Sequence, residues 1–146
     1  MKFTPELIFK DKAINKVKIN NTDKSSISKG VRIIKSLSKF DIGQSVVINN
    51  GYVLAIEGPE GTDETIKRSL YLSKKYKLKN KSILIKFPKA NQDLRIDLPT
   101  IGFDTIKNCI KANIKGIAVK RYQNIILDKD KIINLIKKNN FFIISI

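Results

Sequence analysis

Residues 45–64 decide the fold: Ser45-Val46-Val47-Ile48-Asn49-Asn50-Gly51-Tyr52-Val53-Leu54-Ala55-Ile56-Glu57-Gly58-Pro59-Glu60-Gly61-Thr62-Asp63-Glu64. Two β-rich runs, Ser45 to Ile48 and Tyr52 to Ile56, flank Asn50-Gly51, the dipeptide that most favours a tight hairpin, so they are expected to be antiparallel neighbours. Gly58-Pro59-Glu60-Gly61 then makes a loop. Thr62 or Asp63 is expected to cap the following helix, with Ile66 and Leu70 facing inward and lysines toward its end near Lys79, where the helix dipole is negative. Ser82 to Phe87 is a short, nearly all-apolar run closed by Pro88, the pattern of a strand covered on both faces. Strand, helix and strand form a βαβ unit, and its crossover brings the loops after Glu57 and after Phe87 to one edge of the sheet.

Working outward, Asp23 is expected to cap an upstream helix whose Ile27, Val31, Ile34 and Leu37 recur at helical spacing, ending near Phe40. Residues 1–22 alternate weakly and are expected to be a connecting arm. Downstream, a long loop from Lys89 through Gly102 precedes a helix at Phe103 to Asn113 and a strand at Gly116 to Val119. A short strand at Ile125 to Leu127, a helix capped by Asp128 and a last strand at Phe141 to Ser145 follow. The expected fold is one α/β domain: a mixed, mostly parallel sheet with a β-hairpin and with helices packed on it.

The 146 residues suffice for one core without staples. The sequence has no histidine and one cysteine, Cys109, which excludes an internal disulfide, the usual zinc sets and His-based triads. Cys109 shares a helical face with Ile106 and Ile110, as a buried small hydrophobe does. The formal charge of +16 would suit nucleic acid, yet its lysines are spread along the chain without clustering, and no RRM, KH or zinc-finger signature occurs. No nucleic-acid partner is expected. No apolar run approaches the roughly 20 residues of a membrane span, and Met1 to Pro5 does not open a secretory signal. A cytoplasmic chain is expected, and its charge leaves contact with an anionic membrane surface open.

Of 13 acidic residues, Glu57, Glu60, Asp63 and Glu64 fall within eight positions, and Asp93 and Asp97 sit in the loop expected beside them. Carboxylates converging at strand ends suit Mg2+, which keeps several waters and takes substrate phosphate oxygens. Lys86, Lys89 and Arg95 border the same loops and could clamp a diphosphate, while the helix N-terminus at Thr62 offers free N–H groups. Structural explanations stand beside these. Asp63 and Glu64 are what helix capping and the dipole alone select, Gly58, Gly61 and Gly102 serve turns, and Lys86 can snorkel from a strand end.

Several segments in one order carry a resemblance: Asp41-Ile42-Gly43-Gln44, Val53 to Glu57, Glu60-Gly61-Thr62-Asp63, Lys86, Lys89, Gln92 to Gly102, Gly116-Ile117-Ala118 and Ile126-Leu127-Asp128. Together they resemble the C-terminal domain of the UDP-2,3-diacylglucosamine pyrophosphatases of the LpxI type, which act in lipid A synthesis. The resemblance implies a catalytic domain over residues 23–146 and Mg2+-dependent hydrolysis of UDP-2,3-diacylglucosamine to UMP and 2,3-diacylglucosamine 1-phosphate, at the cytoplasmic face of the inner membrane. It implies that Asp97, the aspartate of Asp97-Leu98-Pro99-Thr100-Ile101-Gly102, is catalytic and metal-associated. Asp93, Glu57 and Glu60 are further metal candidates. Gln44, Thr62, Asp63, Lys86, Lys89, Gln92, Arg95 and Thr100 are the candidates for substrate contact. The resemblance leaves the family's N-terminal nucleotide-fold domain without a counterpart here, so the expectation is either a separate chain that supplies it or a reduced or truncated form. The alternatives are a non-catalytic nucleotide-sugar or lipid-phosphate binding module and a partner subunit that completes a two-chain enzyme, and a homodimer is a further candidate assembly.

Overall fold

The structure is a computed structural model that describes residues 13–15, 19–88, 100–121, 123 and 125–146. Its central strands are the sequence's continuous apolar runs. β2 (Ser45–Asn49) and β4 (Ser82–Lys86) are buried along their whole length, as is nearly all of β6 (Ile114–Val119). With β1 (Ala13–Ile14), β3 (Tyr52–Ile56) and β8 (Phe142–Ser145) they form a six-stranded sheet in the order β1-β8-β6-β4-β2-β3. A second sheet of two short parallel strands, β5 (Thr100–Ile101) and β7 (Ile125–Ile126), lies beside it.

The sheet is mixed as expected, but it is not mostly parallel by pairing. β4 pairs with β6 and β6 with β8 in parallel, whereas β1 with β8, β2 with β3 and β2 with β4 are antiparallel. The reason lies in the hairpin. β3 runs in the same direction as β4, as the expected βαβ crossover requires. In the structure the first hairpin strand, β2, sits between them and turns one parallel pairing into two antiparallel ones. The carboxyl ends of β3, β4, β6 and β8 still share one edge.

Side-chain alternation sorts the core onto the two faces. Val47, Leu84, Ile117 and Ile143 pack under α2 (Thr62–Lys75), α3 (Phe103–Lys111) and α4 (Lys129–Asn139), through Ile66, Ile106, Ile132 and Ile136. Val46, Ile48, Ile83, Ile85 and Phe142 pack under α1 (Asn21–Leu37) through Ile27 and Ile34. Phe142 fits because Gly116 pairs opposite it: a Cβ there would run into the ring. Phe142 is fully buried, so the ring has no exit. Gly116→Ala is expected to cost about 1–3 kcal/mol, the range for overpacking, read as a lower Tm.

Local signals at the helix ends were partly misread. Asn20, not Asp23, caps α1. The Asn20 side chain accepts from the Asp23 N–H at 2.8 Å and the Asp23 carboxylate accepts from the Asn20 N–H at 3.0 Å, a reciprocal capping box. Asp23 also meets Lys115 at 2.6 Å, tying the helix to the start of β6. α1 gives way at Leu37 to a 3-10 turn, Ser38–Phe40. Gly61 is the cap residue of α2, so neither Thr62 nor Asp63 fills that role, whereas Asp128 is the cap residue of α4 as expected, though its side chain makes no cap bond. Within the expected arm, Ala13 and Ile14 pair with Ile144 and Ile143 as an edge strand. No helix among the described residues is long and apolar enough to cross a membrane.

Candidate functional site

The carboxyl edge of the parallel strands gathers three side chains that the sequence singles out: Glu57 just after β3, Lys86 at the end of β4 and Asp63 in the first turn of α2. Glu57 is only 7% exposed. Its carboxylate accepts from the Gln44 N–H at 2.7 Å, the Ser45 hydroxyl at 3.1 Å and the Thr62 hydroxyl at 2.5 Å. It therefore ties the turn before β2 to the start of α2. Gly43 makes the approach possible, because a Cβ there would fall 2.5 Å from both the backbone oxygen and a carboxylate oxygen of Glu57. Around this knot lies a cavity of about 510 Å3 lined by Asp41, Ile42, Gly43, Gln44, Glu57, Gly58, Pro59 and Gly61.

Glu60 belongs to a separate donor set. It accepts from the Gly58 N–H at 3.1 Å, the Thr65 hydroxyl at 3.2 Å and Arg68 at 2.9 Å, and Arg68 also donates to the Ile56 carbonyl at 2.7 Å. Backbone hydrogen bonding first, then Arg68, holds the Glu60 carboxyl below the usual range. Asp63 is exposed and accepts from the Thr105 hydroxyl on α3 at 3.3 Å.

Lys86 does not snorkel. It is 8% exposed, and its ammonium donates to the Thr100 carbonyl of β5 at 2.9 Å. Burial lowers its pKa, while the negative charges of Glu57 and Asp63 work in the opposite direction. Because the folded chain releases this proton at lower pH than the unfolded chain, burying Lys86 opposes folding when both states hold it charged. That penalty fades as pH rises from the folded-state pKa toward the ordinary lysine value. Any stability advantage of Lys86→Met over wild type should accordingly shrink between neutral and alkaline pH in paired thermal melts, and an advantage that grows would contradict the burial argument.

Register extends the cationic edge. Lys86 pairs with Val119, and Val119 with Ser145, so Lys120 and Arg121 leave β6 beside the end of β4. Arg121 donates to the Ser145 hydroxyl at 3.2 Å.

The model of the LpxI C-terminal domain matches residues 10–144. The chain belongs to the LpxI family. It is 30% identical over 125 residues to the UDP-2,3-diacylglucosamine pyrophosphatase LpxI of Caulobacter vibrioides, a match covering 84% of this chain and 45% of that protein. The chain thus spans less than half the length of that curated relative.

In this LpxI-family domain Gln44, Glu57 and Thr62 share one hydrogen-bond network, and Lys86 sits under the charges of Glu57 and Asp63 and binds Thr100. Glu60 turns instead to Arg68. Lys89, Gln92, Asp93, Arg95 and Asp97 lie outside the described residues. The donor types fit a hard cation: the chain has no histidine, and burial first, then Asp63, pushes the Cys109 thiol far up. Among the described residues, however, no three Asp, Glu, Cys or His gather as a ligand set. Glu57 and Glu60 are taken up by protein donors, so the described residues do not by themselves assemble a metal centre. Sequence reading missed Ser45, Arg68, Thr105 and Arg121. Arg68 and Thr105 act across the packing of α2 on β3 and on α3, which no spacing reveals, whereas Arg121 carried a legible signal as a cation just past a buried strand.

Proposed function

We propose that this chain is the catalytic half of a UDP-2,3-diacylglucosamine pyrophosphatase, splitting the diphosphate with water into UMP and 2,3-diacylglucosamine 1-phosphate. One observation supports the reading beyond family membership. Lys86, a buried ammonium at the centre of the carboxyl edge, faces the start of α2 and the first residue after the Asp97-Leu98-Pro99 segment. In α/β sheets that edge is where ligands bind.

In this proposal Lys86 and Arg121 neutralise the diphosphate, and the free N–H groups at the start of α2, where Gly61 supplies no side-chain cap, take phosphate oxygens. Glu57 keeps Gln44 and Thr62 in place for the substrate. Asp97 is the catalytic carboxylate and, with Asp93, the proposed holder of Mg2+. When bound, that ion would supply charge neutralisation and a more acidic water. The water oxygen adds to one phosphorus, the bond from that phosphorus to the bridging oxygen breaks, and the bridging oxygen leaves on the other phosphate. Work at the cytoplasmic face of a membrane, and a partner chain supplying the remaining half of the family protein, belong to the same proposal.

The test is product analysis with UDP-2,3-diacylglucosamine and Mg2+, using the chain alone and the chain mixed with an N-terminal half from the family. UMP released in either arm supports the proposal. Substrate bound without release in both arms would overturn it in favour of a non-catalytic module.

A further inference from the structure

A cavity of about 750 Å3 lies outside the network just described, between the N-terminal end of α3 and the side of α4. Phe103, Leu127 and Leu135 supply its apolar wall. Leu127 is 41% exposed directly after β7, and its N–H donates to the Ile101 carbonyl at 3.0 Å, which fixes it there. The charges around the cavity balance: Lys131 and Lys138 stand with Asp104 and Asp128, in a chain of net charge +16. What this groove offers a ligand is therefore apolar burial more than charge.

Its direction follows from topology. α3 precedes β6 and α4 precedes β8, so both helices begin at the carboxyl edge, where Lys86 and Asp63 stand. Two of its residues touch that site. Thr105 lines the cavity and donates to Asp63, and Gly102 lines it two residues after the carbonyl that receives Lys86. Its volume lies within the roughly 300–1,000 Å3 typical of small-molecule pockets.

We infer that the groove between α3 and α4 holds the hydrocarbon tail of an anionic amphiphile whose phosphate sits at the Lys86 edge. The occupant is an acyl chain of the substrate, an assignment that rests on the function proposed above. Lysine stems along α4 would cover the tail while their ammonium groups stay in water.

Calorimetric titration with butyl, octyl and dodecyl phosphate, each below its micelle concentration, tests this without requiring turnover. Wild-type affinity should climb with chain length, by up to about three- to fourfold per buried methylene. Leu127→Glu should weaken dodecyl phosphate about tenfold or more and the shorter homologues progressively less, as expected when a charge enters an apolar site. Leu127→Ser, which adds no charge, should follow the same order with smaller losses. Tyr52→Glu, at an 81% exposed position on the far edge strand, carries the same charge change and should behave as wild type. Affinity independent of chain length, or equal losses in the two Glu variants, would overturn the assignment. UMP release without tail binding refutes the groove alone, whereas tail binding without UMP release refutes the hydrolase reading alone.

Discussion

Asp97→Ala is expected to lower UMP release by about a thousandfold or more, while the chain still melts cooperatively and still binds substrate. The size follows from the role proposed for Asp97. A preorganised charge that acts on the transition state costs far more in turnover than in ground-state binding when removed, and about a hundred- to thousandfold is the scale for a single hydrogen-bond donor. Asp97 lies outside the described residues, so the expectation rests on Asp97-Leu98-Pro99-Thr100-Ile101-Gly102 and on where that motif ends. Thr100 and Ile101 form β5, and the Thr100 carbonyl receives Lys86 from the middle of the sheet edge. Full turnover in the variant, measured as initial rate of UMP formation, would remove Asp97 from the chemistry.

Glu57→Ala is expected to be the most destabilising exchange at the site. Its carboxylate is the shared acceptor of the Gln44 N–H and the Ser45 and Thr62 hydroxyls, and its charge offsets the buried Lys86. Each buried donor left unpaired costs about 1–3 kcal/mol, so a total of about 3 kcal/mol is a modest sum for the knot. For a chain of this size that corresponds to a fall of about 6–12 °C in Tm. Glu57→Gln keeps one acceptor oxygen and should lose less. A shift below about 2 °C for the alanine variant would mean that the knot contributes little to folding.

Much of this was legible in the sequence because it is local. Asn50-Gly51 between two β-rich runs specified the hairpin, and the apolar run at 82–87 specified the central strand. The placement of β2 between β3 and β4 was not legible, because either hairpin strand satisfies the same alternation and only packing against α1 and α2 chooses. Glu57 was singled out from acidic clustering as a metal candidate, yet the structure gives it three protein donors. Clustering along the chain cannot distinguish a carboxylate that organises loops from one that faces a ligand. Lys86 shows the converse. A lysine ending an apolar strand suggests snorkelling, and its burial becomes visible only once β5 folds over the strand end.

The most direct test of a functional site at the carboxyl edge is an amide NMR titration with UMP in the presence of Mg2+. The largest shifts are expected at Gln44, Thr62, Lys86, Thr105 and Arg121. Shifts confined to the opposite edge, around Asn50, Lys79, Lys81 and Lys115, would contradict it.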